Sequence, residues 1–90
     1  MADPLHIAIV GDYNPAFISH PATDAAVRLA AESIGVRAQA EWVPTPEVTE
    51  QKLEAYDAVW ASAGSPYRSF EGMLRAIRYA RERGKPFVGT

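Results

Sequence analysis

Four short runs that are rich in apolar residues, at 5–10, 37–43, 57–64 and 86–90, are separated by longer segments. Three of them are mostly apolar, which is typical of strands that are buried on both faces. The run at 37–43 instead alternates, with Ala38, Ala40 and Trp42 on one side and charged or amide side chains on the other. This period of two predicts a half-exposed strand at the edge of a sheet.

Between the first two runs, apolar residues recur at the spacing of one helix face: Val27, Ala30, Ala31 and Ile34. His20-Pro21 predicts the entry of this helix, and Gly35 its end. A second helix, the least regular, is predicted after Thr45. Thr45 would be its N-cap, Pro46 its first residue, and its apolar stripe would be Val48, Leu53 and Tyr56.

The third helix has the clearest boundaries. Ser69 predicts its N-cap and Gly84 its end, and Pro86 prevents its continuation. Its apolar residues predict the buried face: Phe70, Met73, Leu74, Ile77 and Ala80. Glu71 and Arg75 have the spacing of an exposed ion pair.

The predicted order β-α-β-α-β-α-β requires parallel strands in a single α/β domain over residues 1–90. An edge-like second strand and a buried first strand favour the strand order 2-1-3-4, the first part of a flavodoxin-like doubly wound sheet. Ligands bind such sheets at the carboxyl ends of the strands. Here these ends are 11–13, 44–45, 62–68 and 89–90.

Charge and composition exclude several classes of function. The formal net charge is −2, so nothing favours nucleic acid as a partner, and no apolar run has the length of a membrane span. The chain has no cysteine and no signal-peptide pattern, and we predict a cytoplasmic protein. His6 and His20 lack ligand spacing, and Asp12 lacks the acidic partner of a phospho-receiver site. We therefore expect no metal and no cofactor.

The segment 62–72, "SAGSPYRSFEG", is the strongest candidate for chemistry. Ala63 and Gly64 are small residues that follow a buried strand, so a ligand could approach the backbone and an N–H could donate to an oxyanion. The alternative is a strand-to-helix turn that merely requires glycine.

At 71–90, "EGMLRAIRYARERGKPFVGT", the chain resembles the class I glutamine amidotransferase domain of CTP synthase. That family has an E-G-K helix start and a run like A-I-R-Y-A-R-E-x-x-I-P-F-L-G before its nucleophile. "HIAIVGDY" at 6–13 is similar to the family's I-A-L-V-G-K-Y. The chain departs from the family at Ala63, which replaces the first loop glycine, at Ser65-Pro66, which replace Phe-Gly, and at Met73, which replaces a lysine.

The resemblance implies that the intact protein hydrolyses the amide of glutamine through a covalent intermediate. Gly64 would be the backbone donor to the oxyanion, and we assign Ala63, Ser65 and Arg68 to binding of a glutamine-like substrate. The family's nucleophile and its later His-Glu pair lie beyond the position of Thr90. We therefore expect these 90 residues alone to be inactive.

One branch of related proteins includes selenoproteins with Gly-Thr before the nucleophile. Our hypothesis is a UGA codon after Thr90 that encodes selenocysteine; a deliberate truncation and a natural short paralogue are the alternatives. A bare apolar strand at 86–90 predicts a homodimer paired through this strand. The alternative function is a non-catalytic flavodoxin-like module that binds a small ligand or a partner, and a purely structural role is the third.

Overall fold

The computed structural model describes residues 4–63 and 67–89. Its strands and helices alternate in the predicted order: β1 (Leu5–Val10), α1 (Ser19–Ile34), β2 (Ala38–Val43), a 3₁₀ helix (Thr45–Glu47), α2 (Glu50–Leu53), β3 (Ala58–Ala61), α3 (Phe70–Arg83) and β4 (Phe87–Gly89). Glycines in the left-handed conformation end α1 and α3, as predicted: Gly35 has φ 73° and Gly84 has φ 65°. Such ends are favoured because glycine has no Cβ to clash.

The four strands form one parallel sheet in the order β2-β1-β3-β4, which confirms the predicted fold class and topology. β1 is the best-protected strand, and its Ala8, Ile9 and Val10 are fully buried. β2 lies at one edge, where its burial alternates as the sequence pattern predicted. Central strands of parallel sheets are apolar on both faces because helices cover both.

The main core lies on the face of the sheet that α2 and α3 cover. Its members are buried apolar side chains from β1, β2, β3, both helices and the segments beside α2: Ala8, Val10, Val43, Val48, Leu53, Tyr56, Val59, Ala61, Met73, Ala76, Tyr79 and Ala80. The predicted stripe of Val48, Leu53 and Tyr56 is thus confirmed as core. Burial of this apolar surface is the principal stabilising term for the domain.

The opposite face is covered only in part. α1 packs beside β2, where the Trp42 indole N–H donates to Asp24 of α1 at 2.8 Å. Towards β3 and β4 an open apolar groove of about 400 Å³ remains, lined in part by Ala30, Ile34 and Val88. Ile34 is 72% exposed, so the predicted apolar face of α1 exists but is mostly uncovered.

Two predictions about helices are wrong. The second helix does not run continuously from Thr45, because Val48 has an extended backbone (ψ 121°) and turns inward to the core. The short helix α2 begins instead after Thr49, whose hydroxyl oxygen accepts the Lys52 N–H. On α3, Phe70 and Leu74 were expected in the core but are 64% and 41% exposed.

Among the described residues, no helix has both the length and the apolar content that a bilayer span requires.

Candidate functional site at the carboxyl edge of the sheet

Asp12, the second residue after β1, joins three loops at the carboxyl edge of the sheet. Its Oδ1 accepts the Thr45 backbone N–H at 2.9 Å. Its Oδ2 accepts the Thr45 hydroxyl and the Arg68 backbone N–H, both at 2.8 Å. One carboxylate therefore holds the loop after β2 and the entry of α3 against the end of β1.

These bonds determine the charge state of Asp12. Burial by itself would raise the pKa of this carboxyl, since it disfavours the charged form. The N–H groups of Arg68 and Thr45, the Thr45 hydroxyl and the Arg68 charge all favour the anion and outweigh burial, so the pKa of Asp12 lies below its ordinary value. Asp12 is an anion at neutral pH and accepts charge-assisted hydrogen bonds.

Thr45 connects Asp12 to the start of α3. The residue is fully buried, and its hydroxyl oxygen accepts the Ser69 N–H at 2.8 Å while its hydrogen is donated to Asp12. Ser69 in turn caps α3 by accepting the Gly72 N–H at 3.0 Å, as predicted. A Cβ at Gly72 would overlap the Thr45 carbonyl. Only glycine lets the first turn of α3 approach the loop after β2 this closely.

His20 lies at the start of α1 and is only 1% exposed. Its ring contacts those of Tyr13, Phe17 and Trp42, with centroids 5.8, 5.3 and 4.8 Å away. Its Nδ1 accepts the Asn14 backbone N–H at 2.9 Å, and its Nε2 lies 2.8 Å from the Ala63 carbonyl oxygen. The histidine therefore links the loop after β1 to the loop after β3.

The loop after β3 has further restraints at its start. The Ser62 N–H donates to Val10 at 3.0 Å, and the Ser62 hydroxyl donates to the Ala63 carbonyl at 3.1 Å. The Tyr67 hydroxyl donates to the Ser62 carbonyl at 2.7 Å. A Cβ at Gly11, the residue after β1, would overlap the Ser62 hydroxyl, so glycine at this position favours the close approach of the two loops. The loop is thus anchored on both sides of 64–66.

Comparison with curated proteins finds relatives along nearly the whole chain. The chain is 33% identical over 87 residues to CTP synthase of Encephalitozoon cuniculi (strain GB-M1), which covers 97% of this chain and 16% of that protein. It is 33% identical over 92 residues to CTP synthase of Thermococcus kodakarensis (strain ATCC BAA-918 / JCM 12380 / KOD1), with 99% and 17% covered. It is 34% identical over 91 residues to CTP synthase of Synechococcus sp. (strain JA-3-3Ab), with 97% and 17% covered.

The chain is related to a segment of CTP synthase. The match runs along nearly the whole chain but spans only 16–17% of the length of these relatives. No protein-family model matches the chain. The part of the expected resemblance that concerns CTP synthase is therefore confirmed.

The structure describes two of the four predicted site residues of this CTP synthase-related segment. Ala63 lies at the carboxyl end of β3 and offers its carbonyl to His20. Arg68 is exposed at the same edge, and its backbone N–H, rather than its guanidinium, makes the bond to Asp12. Gly64 and Ser65 lie outside the described residues, so their assigned roles stay predictions.

Sequence reasoning missed the groups that hold this loop. The sequence presents Asp12 as a lone acidic residue, Thr45 as a helix cap, and His20 as a helix entry without the spacing of a metal ligand. Within 4–63 and 67–89, no group of three or more metal-ligating side chains is present, and the Asp12 oxygens already accept three bonds. The position of Asp12 and Thr45 after adjacent strands was the one available signal, because carboxyl ends of parallel strands meet at one edge.

Proposed function

We propose that this CTP synthase-related chain is the N-terminal half of a class I glutamine amidotransferase-like domain. In the intact protein, a nucleophile attacks the side-chain amide of glutamine to give a covalent acyl-enzyme and ammonia, and water then releases glutamate. The observation that carries the proposal is the relationship to CTP synthase along 97% of the chain. The parallel sheet adds support, because its carboxyl edge is where such folds bind ligands.

The contribution of this chain to the reaction is the loop after β3. The tetrahedral intermediate carries a negative charge on the former amide oxygen, and a backbone N–H aimed at that oxygen stabilises it. We assign this N–H to Gly64. The two anchored flanks of the loop, the Ala63 carbonyl at His20 and the Arg68 N–H at Asp12, support this assignment, since preorganised donors need no rearrangement during the reaction.

Substrate binding is assigned to the same edge. Ala63 and Ser65 flank the donor, and small side chains there leave space for the backbone to approach the amide. Arg68 is exposed at the carboxyl edge of the sheet and carries a charge that suits the α-carboxylate of a glutamine-like substrate. These roles follow from the resemblance and from the charge of Arg68.

The nucleophile is proposed to follow Thr90, encoded by UGA as selenocysteine, with the His-Glu pair further on. Cysteine is absent from residues 1–90, so the thiolate or selenolate of such a mechanism needs a residue outside them. We also propose a homodimer formed through the strand at 86–90 and a cytoplasmic location.

Ammonia release from glutamine tests the function. The protein is expressed from its gene with the codons after Thr90 translated, beside the 90-residue chain and two variants of the longer protein. Gly64→Pro removes the backbone N–H, whereas Gly64→Ala keeps it. We expect turnover by the longer protein, none by the 90 residues, and a loss of about 10²–10³-fold in kcat confined to Gly64→Pro. No turnover by the longer protein would contradict the proposal, and would favour a binding module.

A further inference from the structure

The contacts of His20 connect two loops that are far apart in sequence. The ring is enclosed by three aromatic side chains, yet both of its nitrogens have a backbone partner. One partner, Asn14, lies six residues before it; the other, Ala63, lies in the loop after β3, 43 residues away. The bond to the distant partner connects the ring to the loop after β3.

The first partner determines which ring nitrogen carries the hydrogen. The Asn14 N–H can only donate, so the Nδ1 that receives it has no hydrogen. In a neutral imidazole the hydrogen is then on Nε2. Nε2 therefore donates to the Ala63 carbonyl oxygen, 2.8 Å away. Asn14 sets the tautomer, and the tautomer makes His20 a donor towards the loop.

The Ala63 carbonyl is half of a peptide group whose other half is the N–H of Gly64. A peptide group is planar and trans, so its C=O and its N–H point in opposite directions. A donor that holds the Ala63 carbonyl therefore restrains the plane of the peptide group to which this carbonyl belongs. The Ser62 hydroxyl donates to the same carbonyl at 3.1 Å, but Ser62 is the residue next to Ala63 in the chain. His20 is the donor anchored in another element.

We propose that His20 is a positioning residue that sets the direction of the Ala63 carbonyl at the start of the loop after β3. It does so by donating Nε2–H to the Ala63 carbonyl, with its tautomer fixed by the Asn14 N–H. The consequence for catalysis rests on the proposed function, because only an oxyanion donor needs this orientation. The hydrogen bond and its effect on the peptide do not rest on it.

Two amide variants separate the two bonds of the ring. The amide of glutamine reaches about as far as Nε2 and can donate to the Ala63 carbonyl, so His20→Gln keeps the positioning bond. The amide of asparagine reaches only about as far as Nδ1, so His20→Asn keeps the bond from Asn14 and loses the one to Ala63. Each variant loses one hydrogen bond and most of the aromatic packing, which makes them matched controls for stability.

NMR on the labelled 90-residue chain gives the first test. The wild-type ring should show the Nε2–H tautomer by its nitrogen shifts; the Nδ1–H tautomer would overturn the proposal without any variant. His20→Asn should shift the Ala63 carbonyl carbon and the Gly64 amide resonances, and His20→Gln should leave them close to wild type. Equal shifts in both variants, or none in either, would overturn it too.

The longer protein of the ammonia assay gives the second test. His20→Asn should lower kcat by about 10- to 100-fold with KM unchanged, since misplacing a catalytic group costs the transition state more than the bound substrate. His20→Gln should recover most of this loss. Shifted resonances in a longer protein that has no turnover would leave the positioning bond established and the proposed function refuted. Turnover with kcat equally lowered in both variants would overturn the positioning role.

Discussion

Asp12→Asn removes the charge at the point where three loops meet. In the native protein the two carboxylate oxygens accept three hydrogen bonds, two from backbone N–H groups and one from the Thr45 hydroxyl. An asparagine can place its single oxygen only on one side. In its better orientation the oxygen faces the Arg68 N–H and the Thr45 hydroxyl, and its NH₂ group then confronts the Thr45 N–H.

The magnitude follows from these contacts. The Thr45 N–H loses its acceptor, which costs about 1–3 kcal/mol. The two remaining bonds change from charge-assisted to neutral, and each loses roughly 0.5–1 kcal/mol. The carboxylate is partly exposed and solvent screens it, so the lower half of the sum, about 2–3 kcal/mol, is expected. Urea unfolding followed by circular dichroism measures it.

The control is Asp57→Asn at the other end of the sheet. Asp57 accepts one exposed hydrogen bond, from the His6 N–H at 2.8 Å, and the oxygen of asparagine can accept it as well. We expect a loss below about 1 kcal/mol. A loss for Asp12→Asn no larger than that for Asp57→Asn would refute the role given to Asp12.

The same variant has a predicted pH dependence. The folded-state pKa of Asp12 lies below the ordinary value of 3.8, so its stabilising contribution is complete above that value. The contribution is lost as the pH falls through the lower folded-state pKa. The stability difference between the wild type and Asp12→Asn should therefore be constant near neutral pH and shrink below about pH 4. A stability difference that grows as the pH falls would contradict a lowered pKa for Asp12.

Two further predictions concern packing and assembly. Gly72→Ala should lower the free energy of unfolding by about 2–3 kcal/mol despite a better helix propensity, because its Cβ would overlap the Thr45 carbonyl. The control Gly35→Ala has open space around its Cβ and should lose only about 1 kcal/mol, as measured by urea unfolding. Equal losses in the two variants would refute the close approach of Gly72 to Thr45. In analytical ultracentrifugation the chain should sediment as a dimer, and Val88→Lys should dissociate it, since Val88 is 51% exposed on the edge strand β4. The control is Gln39→Lys on the opposite edge strand, which should leave the dimer intact. A wild-type chain that is monomeric at high concentration would contradict the proposed interface.

Strand positions and topology were predictable because burial on two faces leaves an apolar run, and burial on one leaves an alternation. The buried face of α3 was not. The apolar residues of α3 fall on two overlapping faces of the helix, and the sequence pattern predicts burial of the face that contains Phe70 and Leu74. The structure uses Gly72, Met73, Ala76 and Tyr79, because the contact of Gly72 with the loop after β2 fixes how the helix is rotated about its axis.

The candidate site was predictable only as a location. The carboxyl edge of a parallel sheet follows from topology, and the loop after β3 was identified there. The residues that anchor it were not, because the partners of His20 are a backbone N–H and a backbone carbonyl, which leave no trace in spacing or composition. The sequence predicts Thr45 as a local helix cap, whereas its hydroxyl donates a hydrogen bond to Asp12, 33 residues away in the chain.

The most direct test of the central claim is to read the gene beyond the codon for Thr90. If the chain is the first half of an amidotransferase-like domain, the next codon encodes the nucleophile, as UGA for selenocysteine, and the frame continues to a His-x-Glu. An ordinary stop codon with no homologous frame beyond it would contradict the account, and would favour the alternative of a non-catalytic module that binds a small ligand or a partner.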